Sequence, residues 1–366
     1  MKKFTKKGKV TEDDLKDIIP WEVDPDVTLV IDMDEQVFIT AAACEERLVQ
    51  YTNTLSLGIG LFKNRTQFRE FMQGIDFDKE LFEVEDVQKP EKVSFAINTL
   101  KRRLDNICKK TKCHPDNMEL YIDGTGNFRD ELPLAVKYKG NRENTIRPVL
   151  LKELKTYAIN SLGAIEIDGM ETDDQVVIRV TEGFKEGSKV IGATQDKDAR
   201  QAEGWWFNYE KEEEPHFVKG FGDLWIDTTL KVPDVKGEGW KFLYYQIICA
   251  DGADNYCSRD TYTRVLIDGK IGEKRKKPRW GSKTAYTALQ KCSNHKQCLE
   301  LIVKKYKEWY GEEPFEYLDW QDNKHTATWL DVLDMQFQLA YMKRKEDDKT
   351  CIKKILKKMG MLDEEN

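Results

Sequence analysis

No apolar run in these 366 residues approaches the length of a membrane span, so the chain is not expected to cross a bilayer. Its first residues, Met1-Lys2-Lys3-Phe4-Thr5-Lys6-Lys7, have no apolar stretch behind their charges and read as neither signal peptide nor anchor. Histidine is scarce. His114, His216, His295 and His325 lie outside every acidic motif, so no histidine base is expected. A Gly-rich loop ending in Lys-Ser/Thr is missing too. Gly124-Thr125-Gly126 lacks a third glycine at the right offset and follows an acid, so no use of nucleoside triphosphates is expected. There is no excess of positive charge: 59 Lys and Arg face 66 Asp and Glu, a formal net charge of −7. That balance at first argues against a polyanionic partner. The eight cysteines read as reduced thiols of a cytoplasmic protein. Two groupings, Cys108, Cys113, His114 and Cys292, His295, Cys298, lack the paired spacing of a zinc ribbon and read as thiols packed on helices.

What is present is a 40% hydrophobic fraction, enough for a core, and a 34% charged fraction above the globular norm of about 25%. The length suits two modest domains, or one with a large appendage. Residues 1–25, punctuated by Pro20 and Pro25, read as a lead-in. Val27 to Asp32 is a short continuous apolar run ending in an acid, the pattern of a buried parallel strand. Met118 to Asp123 repeats it, and Lys189 to Thr194 leads into Asp196-Lys197-Asp198. Helical patterns are expected at 40–52, 93–110, 149–161 and 173–182. Alternating strands and helices predict an α/β fold with a mostly parallel sheet flanked by helices, whose ligand site lies beyond the carboxyl ends of the strands. A Trp- and Gly-rich stretch from 204 predicts a strand or two, and 239–249 a buried helix. The rest is expected to be helical near 282–291, 296–310, 327–345 and 349–359.

Nine acids fall at the predicted strand ends and helix starts: Asp32, Asp123, Glu171, Asp173, Asp174, Asp196, Asp198, Asp251 and Asp254. Crowded carboxylates repel one another and resist desolvation unless something positive sits among them. Hard divalent cations with oxygen ligands are the usual answer, and paired Mg²⁺ or Mn²⁺ ions cleave phosphodiesters. Each motif alone is weak, because acids favour first helical turns and Asp favours turns. Their serial order on one sheet edge carries the signal. Cations in the site also offset the negative total, so the placement of Lys and Arg matters more than their number. Lys139 and Arg142, three apart, would share a helix face, as would Lys152 and Lys155.

That order resembles the structure-specific 5′-nucleases, a family that includes flap endonucleases, the 5′-nuclease domain of bacterial DNA polymerase I and phage 5′–3′ exonucleases. The resemblance spans about Asp26 to Leu289. It rests on Asp32, Asp123-Gly124, Glu171 to Asp174, Asp196 to Asp198 and Asp251-Gly252-Ala253-Asp254-Asn255. Asp196 to Gln201 followed by Gly204 looks most like the phage branch, which implies the cytoplasm of a host bacterial cell. The resemblance implies a PIN-like catalytic domain over 26–220 with a helical arch at about 127–160. It further implies a helix-hairpin-helix (helix–three-turn–helix) duplex-binding region over 221–300, interrupted by an insertion at 256–280. A helical C-terminal extension would cover 301–366.

It also implies two divalent metal ions, Mg²⁺ or Mn²⁺. Asp123, Glu171, Asp173 and Asp196 would hold one, with Asp32 near it. Asp198, Asp251 and Asp254 would hold or orient the other, supported by Asp174. Asp34, beside Asp32, is read as an outer residue. Lys139 and Arg142 would contact the scissile phosphate, Arg129 would position nearby phosphates, and Lys137 and Tyr138 would bind DNA, with Tyr138 stacking on a base. Gly281, Ser282 and Lys283 resemble the hairpin that grips duplex DNA and takes K⁺. The preceding insertion, whose Lys274, Arg275, Lys276 and Lys277 would extend the DNA-binding surface, departs from the pattern at that K⁺ site. The implied activity is 5′–3′ exonuclease and flap endonuclease cleavage of DNA, and of RNA in RNA–DNA hybrids. Implied partners are DNA 5′ ends, flaps and nicks, and replication proteins, with the chain a monomer. A PIN-type ribonuclease and a non-catalytic DNA-binding protein derived from a nuclease are the rival readings.

Overall fold

The computed structural model describes residues 19–73, 78–229, 232–271 and 278–363. Most of the lead-in and the run Lys274 to Lys277 therefore lie outside the described residues. The framework is one six-stranded sheet built from β1 (Val27–Asp32), β2 (Met118–Asp123), β3 (Ile165–Ile167), β4 (Lys189–Ala193), β5 (Gly204–Phe207) and β6 (His216–Val218). Their spatial order is β3-β2-β1-β4-β5-β6, parallel throughout except for β6. The most apolar strand, β1, is central and covered on both faces, as its continuous run of apolar residues requires.

Alternation along β1 divides the core in two. Val27, Leu29 and Ile31 face helices α1 (Met33–Ala43), α2 (Val93–Thr111) and α3 (Leu151–Leu162), through Val37, Leu100, Leu104 and Leu154. Val30 faces the opposite layer, where Val176, Val177 and Val180 of α4 (Thr172–Glu186) pack with Trp206 and Met342. Gly192 on β4 permits this packing. A Cβ there would meet the Trp206 ring at 2.5 Å.

A larger apolar cluster forms around α5 (Gly239–Ile248), which is buried on every side. Helices α6 (Ser282–Leu289), α7 (His295–Tyr310), α8 (Trp329–Ala340) and α9 (Ile352–Lys358) pack against it. Leu134 and Tyr138 join the same cluster from a segment far earlier in the sequence. Among the described residues, no helix is long and apolar enough to cross a membrane.

Three expectations need correction. The helix expected over 40–52 ends at Ala43, and Glu45–Asn53 is a strand between Ile59–Phe62 and Phe82–Pro90. Tyr51 there stacks on Phe68 with ring centroids 3.4 Å apart, so sheet pairing and a local aromatic cluster override helical propensity. The expected arch has no α-helix before Leu151. Residues 128–131 and 140–142 form only single 3₁₀ turns, and Lys139 is left-handed at φ 51°. Pro133 interrupts this stretch and Pro148 follows it, and burial of Leu134 and Tyr138 pins it to the core. Finally, the C-terminal extension is not wholly helical, because Phe315–Leu318 and Lys324–Ala327 form an antiparallel hairpin.

Candidate active site

The parallel strands deliver the acids to one edge. Asp32 ends β1 and caps α1, its Oδ1 accepting the N–H of Asp34 at 2.8 Å and of Glu35 at 3.4 Å. Asp123 ends β2. Its Oδ1 accepts the backbone N–H and the hydroxyl of Thr172, each at 2.8 Å, which ties this strand to the start of α4. Glu171 precedes α4, and Asp173 and Asp174 lie in its first turn. Asp196 follows β4, with its Oδ1 accepting the N–H of Asp198 at 2.8 Å. Beyond α5, the turn after Ala250 brings Asp251 and Asp254 to the same edge.

The electrostatics are those of a crowd. Burial, followed by the charges of Asp34, Glu35 and Asp123, pushes the Asp32 carboxyl well above its ordinary range. Burial and then Asp196, Asp32 and Glu171 do the same to Asp173. Asp198 is raised by burial and by Asp196, Asp251 and Asp254. Asp196 and Asp254 are raised chiefly by burial. Asp251 moves the other way despite its burial, because the Lys197 ammonium lies 2.9 Å from its Oδ2.

Side-chain cations enter the crowd. Lys139 pairs with Glu171 and stands 3.9 Å from Asp254, and Arg142 donates to Asp254 Oδ1 at 2.7 Å. Their loop is stitched to the Asp251–Asn255 turn, where the N–H of Lys139 donates to the carbonyl of Asp254 at 3.0 Å and Asn141 donates to that of Gly252 at 2.9 Å. The structure therefore places Lys139 and Arg142 among the acids, on a loop and not on the shared helix face that their spacing suggested.

Several expected roles change. Arg129 is fully buried and cannot reach a phosphate from solvent. Its guanidinium grips Asp174 with two bonds, of 2.6 and 3.1 Å. Asp174 Oδ1 also accepts the N–H of Lys343 at 2.8 Å, so both oxygens are engaged and neither is left for a cation. Tyr138 is buried, and its hydroxyl lies 3.2 Å from oxygens of both Glu171 and Asp254, either of which can accept its one proton, so its ring is not free to stack on a base. Lys137 pairs with Glu143, and its ammonium lies 4.8 Å from the centre of the Trp320 ring. Gly281 caps the exposed start of α6, with Ser282 and Lys283 in its first turn.

Three groups that the sequence left unassigned belong to the site. Glu35 accepts the N–H of Gln195 at 3.0 Å, its carboxyl raised by burial and by Asp196. Its position three residues after Asp32 was the available signal. Lys155 pairs with Asp34, whose carboxylate also accepts the Asp123 N–H. Tyr256, next after Asn255, is buried beside Asp198, Asp251 and Asp254. Its hydroxyl finds no hydrogen-bond partner among the described residues, and neither does the buried Oδ1 of Asp173.

As the side chains stand, no three His, Cys, Asp or Glu residues among those described converge on one cation position. Lys139, Arg142 and Lys197 supply the positive charge instead. The donor set nevertheless fits hard divalent cations: it is all oxygen, mutually repelling, and includes an orphaned buried carboxylate oxygen. Protons and cations then compete for these raised carboxylates. The folded pKa values lie above the unfolded ones, so metal-free stability falls as pH rises through them. We expect the thermal stabilisation by added Mn²⁺ to be large near about pH 8 and to shrink toward about pH 5. Melting temperatures with and without Mn²⁺ at each pH would check this, and an increment independent of pH would count against cation binding by these acids.

No family model matches the sequence, and no curated protein matches it. Similar solved structures come from bacteriophage T5. One is a protein co-crystallised with metal ions, at 11% identity and TM-score 0.37, covering 86% of this chain and 89% of that one. Another is a flap endonuclease in a pseudo-enzyme-product complex with DNA and metal ions, at 12% identity and TM-score 0.39, covering 86% and 88%. A third is a 5′-exonuclease with bound divalent metal ions (zinc), at 14% identity and TM-score 0.35, covering 76% and 79%.

Proposed function

We propose that this chain is a divalent-metal-dependent nuclease that hydrolyses DNA phosphodiesters from 5′ ends, with exonuclease and flap endonuclease activity. The observation that carries this reading is the gathering of acids at the carboxyl edge of the parallel sheet, where burial and then neighbouring acids raise Asp32, Asp173 and Asp198 and an oxygen of Asp173 has no partner among the described residues. Asp32, Asp123, Glu171, Asp173 and Asp196 would hold one cation, and Asp198, Asp251 and Asp254 the second, with Asp174 excluded by Arg129. When bound, two such ions supply an activated water and stabilise the leaving oxygen of an in-line displacement.

The protein's own residues do the rest. The β1, β2 and β4 ends fix the carboxylates through backbone caps, so little reorganisation is needed for charge to develop. Lys139 and Arg142, which contact Glu171 and Asp254, have side chains 26% and 51% exposed. Released from Glu171 and Asp254 when metal charge replaces theirs, they would stabilise charge on the scissile phosphate. The exposed start of α6 at Gly281, Ser282 and Lys283 offers backbone donors for a duplex phosphate.

We expect Lys139→Ala to lower turnover by about 10²- to 10³-fold while KM shifts only a few-fold. Single-turnover cleavage of a 5′-labelled nicked duplex, flap and RNA–DNA hybrid in Mg²⁺ or Mn²⁺ tests both the activity and its substrate range. Absence of cleavage on every substrate would overturn the reading. The contacts of Lys139, Arg142 and Lys197 with the acids favour one alternative, a self-neutralised site in a DNA-binding protein without catalysis. Its signature is DNA binding that survives EDTA with no cleavage in any metal.

A further inference from the structure

The C-terminal segment after α8 is wired into the acid edge through buried amides. The carbonyl of Ala340 accepts from Gln201 Nε2 at 2.7 Å. The same nitrogen donates to Gln246 Oε1 at 2.6 Å, and Gln246 Nε2 donates to Asp198 Oδ1 at 2.6 Å. Gln201 is fully buried and Gln246 is 4% exposed, so water does not compete for these bonds. The chemistry of the two ends sets the orientation of both amides. A backbone carbonyl can only accept, so Gln201 must turn its nitrogen to Ala340, and an ionised Asp198, the form that would hold a cation, fixes Gln246 in the same way. Flipping Gln246 would set its oxygen against the Asp198 carboxylate.

A second set of bonds reaches the edge from the same segment. Arg129 donates to the carbonyls of Leu339 at 3.2 Å and Tyr341 at 3.0 Å while gripping Asp174, and the N–H of Lys343 donates to Asp174. Arg344 donates to the Gln201 carbonyl at 2.9 Å. The segment Leu339–Arg344 therefore binds both the start of α4 and the turn that carries Asp198.

We propose that Gln246 and Gln201 are positioning residues that fix the Asp198 carboxylate for cation binding, and that the C-terminal segment at Leu339–Arg344 anchors them. Gln246 holds Oδ1 of Asp198, and among the described residues no hydrogen bond is made to Oδ2. One oxygen is thereby clamped and the other is presented to the site. The C-terminal extension is on this account a working part of the acid edge. This rests on the metal-dependent reading above.

The test compares the full-length wild type with Gln246→Met, which keeps the side-chain length and removes the donor. Mn²⁺ binding is measured by calorimetry without DNA, and the Mn²⁺ dependence of cleavage is measured in parallel. We expect Gln246→Met to stay folded by circular dichroism in EDTA and to bind Mn²⁺ about 10- to 100-fold more weakly, as loss of such an outer partner commonly does. Excess Mn²⁺ should then restore much of the lost turnover. Gln201→Met, which cuts the link to Ala340 and leaves the Gln246 bond to Asp198, should weaken binding less. It carries the test if Gln246→Met does not fold. A folded variant with wild-type Mn²⁺ affinity overturns the relay alone, whereas a wild type that neither binds Mn²⁺ nor cleaves overturns the functional reading beneath it.

Discussion

Asp173→Asn is expected to lower cleavage by about 10³-fold or more while raising the stability of the metal-free protein. The two effects share a cause. In the absence of metal, the Asp173 carboxylate is raised by burial and by three neighbouring acids, and its Oδ1 has no partner among the described residues. The neutral amide removes that repulsion and brings N–H donors into a field of acceptors. A gain on the order of 1 kcal/mol in EDTA is a fair expectation for relief of such functional strain. The same substitution removes a hard anionic ligand, so stabilisation by Mn²⁺ should largely vanish. Urea denaturation in EDTA and in Mn²⁺, together with single-turnover cleavage, reads all three quantities. A variant less stable than wild type in EDTA would show that Asp173 is held by structural contacts and is not waiting for a cation.

Arg129→Met is expected to cost about 3–5 kcal/mol of stability, because it leaves Asp174 buried without its ion-pair partner. Arg129 is completely buried and bonds to Asp174, Leu339, Tyr341 and the sulfur of Met342. Few single side chains tie together segments so far apart in the sequence. The double variant Arg129→Met with Asp174→Leu should recover much of the loss, since replacing both charges by apolar groups of similar size is often close to neutral. The salt dependence of DNA binding should not change in either variant, because the guanidinium does not reach solvent. Denaturation midpoints and a salt titration of binding provide the check. A loss below about 1 kcal/mol would mean that Asp174 finds another donor or takes up a proton at little cost.

The two results bear on how much of the molecule was legible in the sequence. The parallel core was legible because Val27 to Asp32, Met118 to Asp123 and Lys189 to Ala193 carry strand patterns that need no context. Helices α2, α4 and α5 were legible in the same way. The strand Glu45–Asn53 was not, because its helix-favouring Glu45, Glu46, Arg47 and Leu48 are recruited by pairing with Phe82–Pro90, almost forty residues away. The basic stretch 137–142 was legible as a run of charge that would share a helix face, but not as a loop. Its conformation is set by Tyr138 in a core built mainly from residues after 224, and by bonds to the Asp251–Asn255 turn.

The sequence alone determined which acids exist, that Asp32, Asp123 and Asp196 follow strands while Glu171, Asp173 and Asp174 open a helix, and that the four histidines lie outside these motifs. Local pattern suffices there, since a strand that ends in an acid places it at the sheet edge whatever surrounds it. Only the tertiary structure decided how the acids divide. Asp173 and Asp174 are neighbours in one helical turn, yet one has an oxygen with no partner among the described residues and the other is locked by Arg129 and the backbone of Lys343. Successive residues on a helix point about 100° apart, so what each carboxylate meets depends on which distant segment packs against its side. Here that segment is the C-terminal one, and no spacing along the chain between residues 129 and 343 announces it.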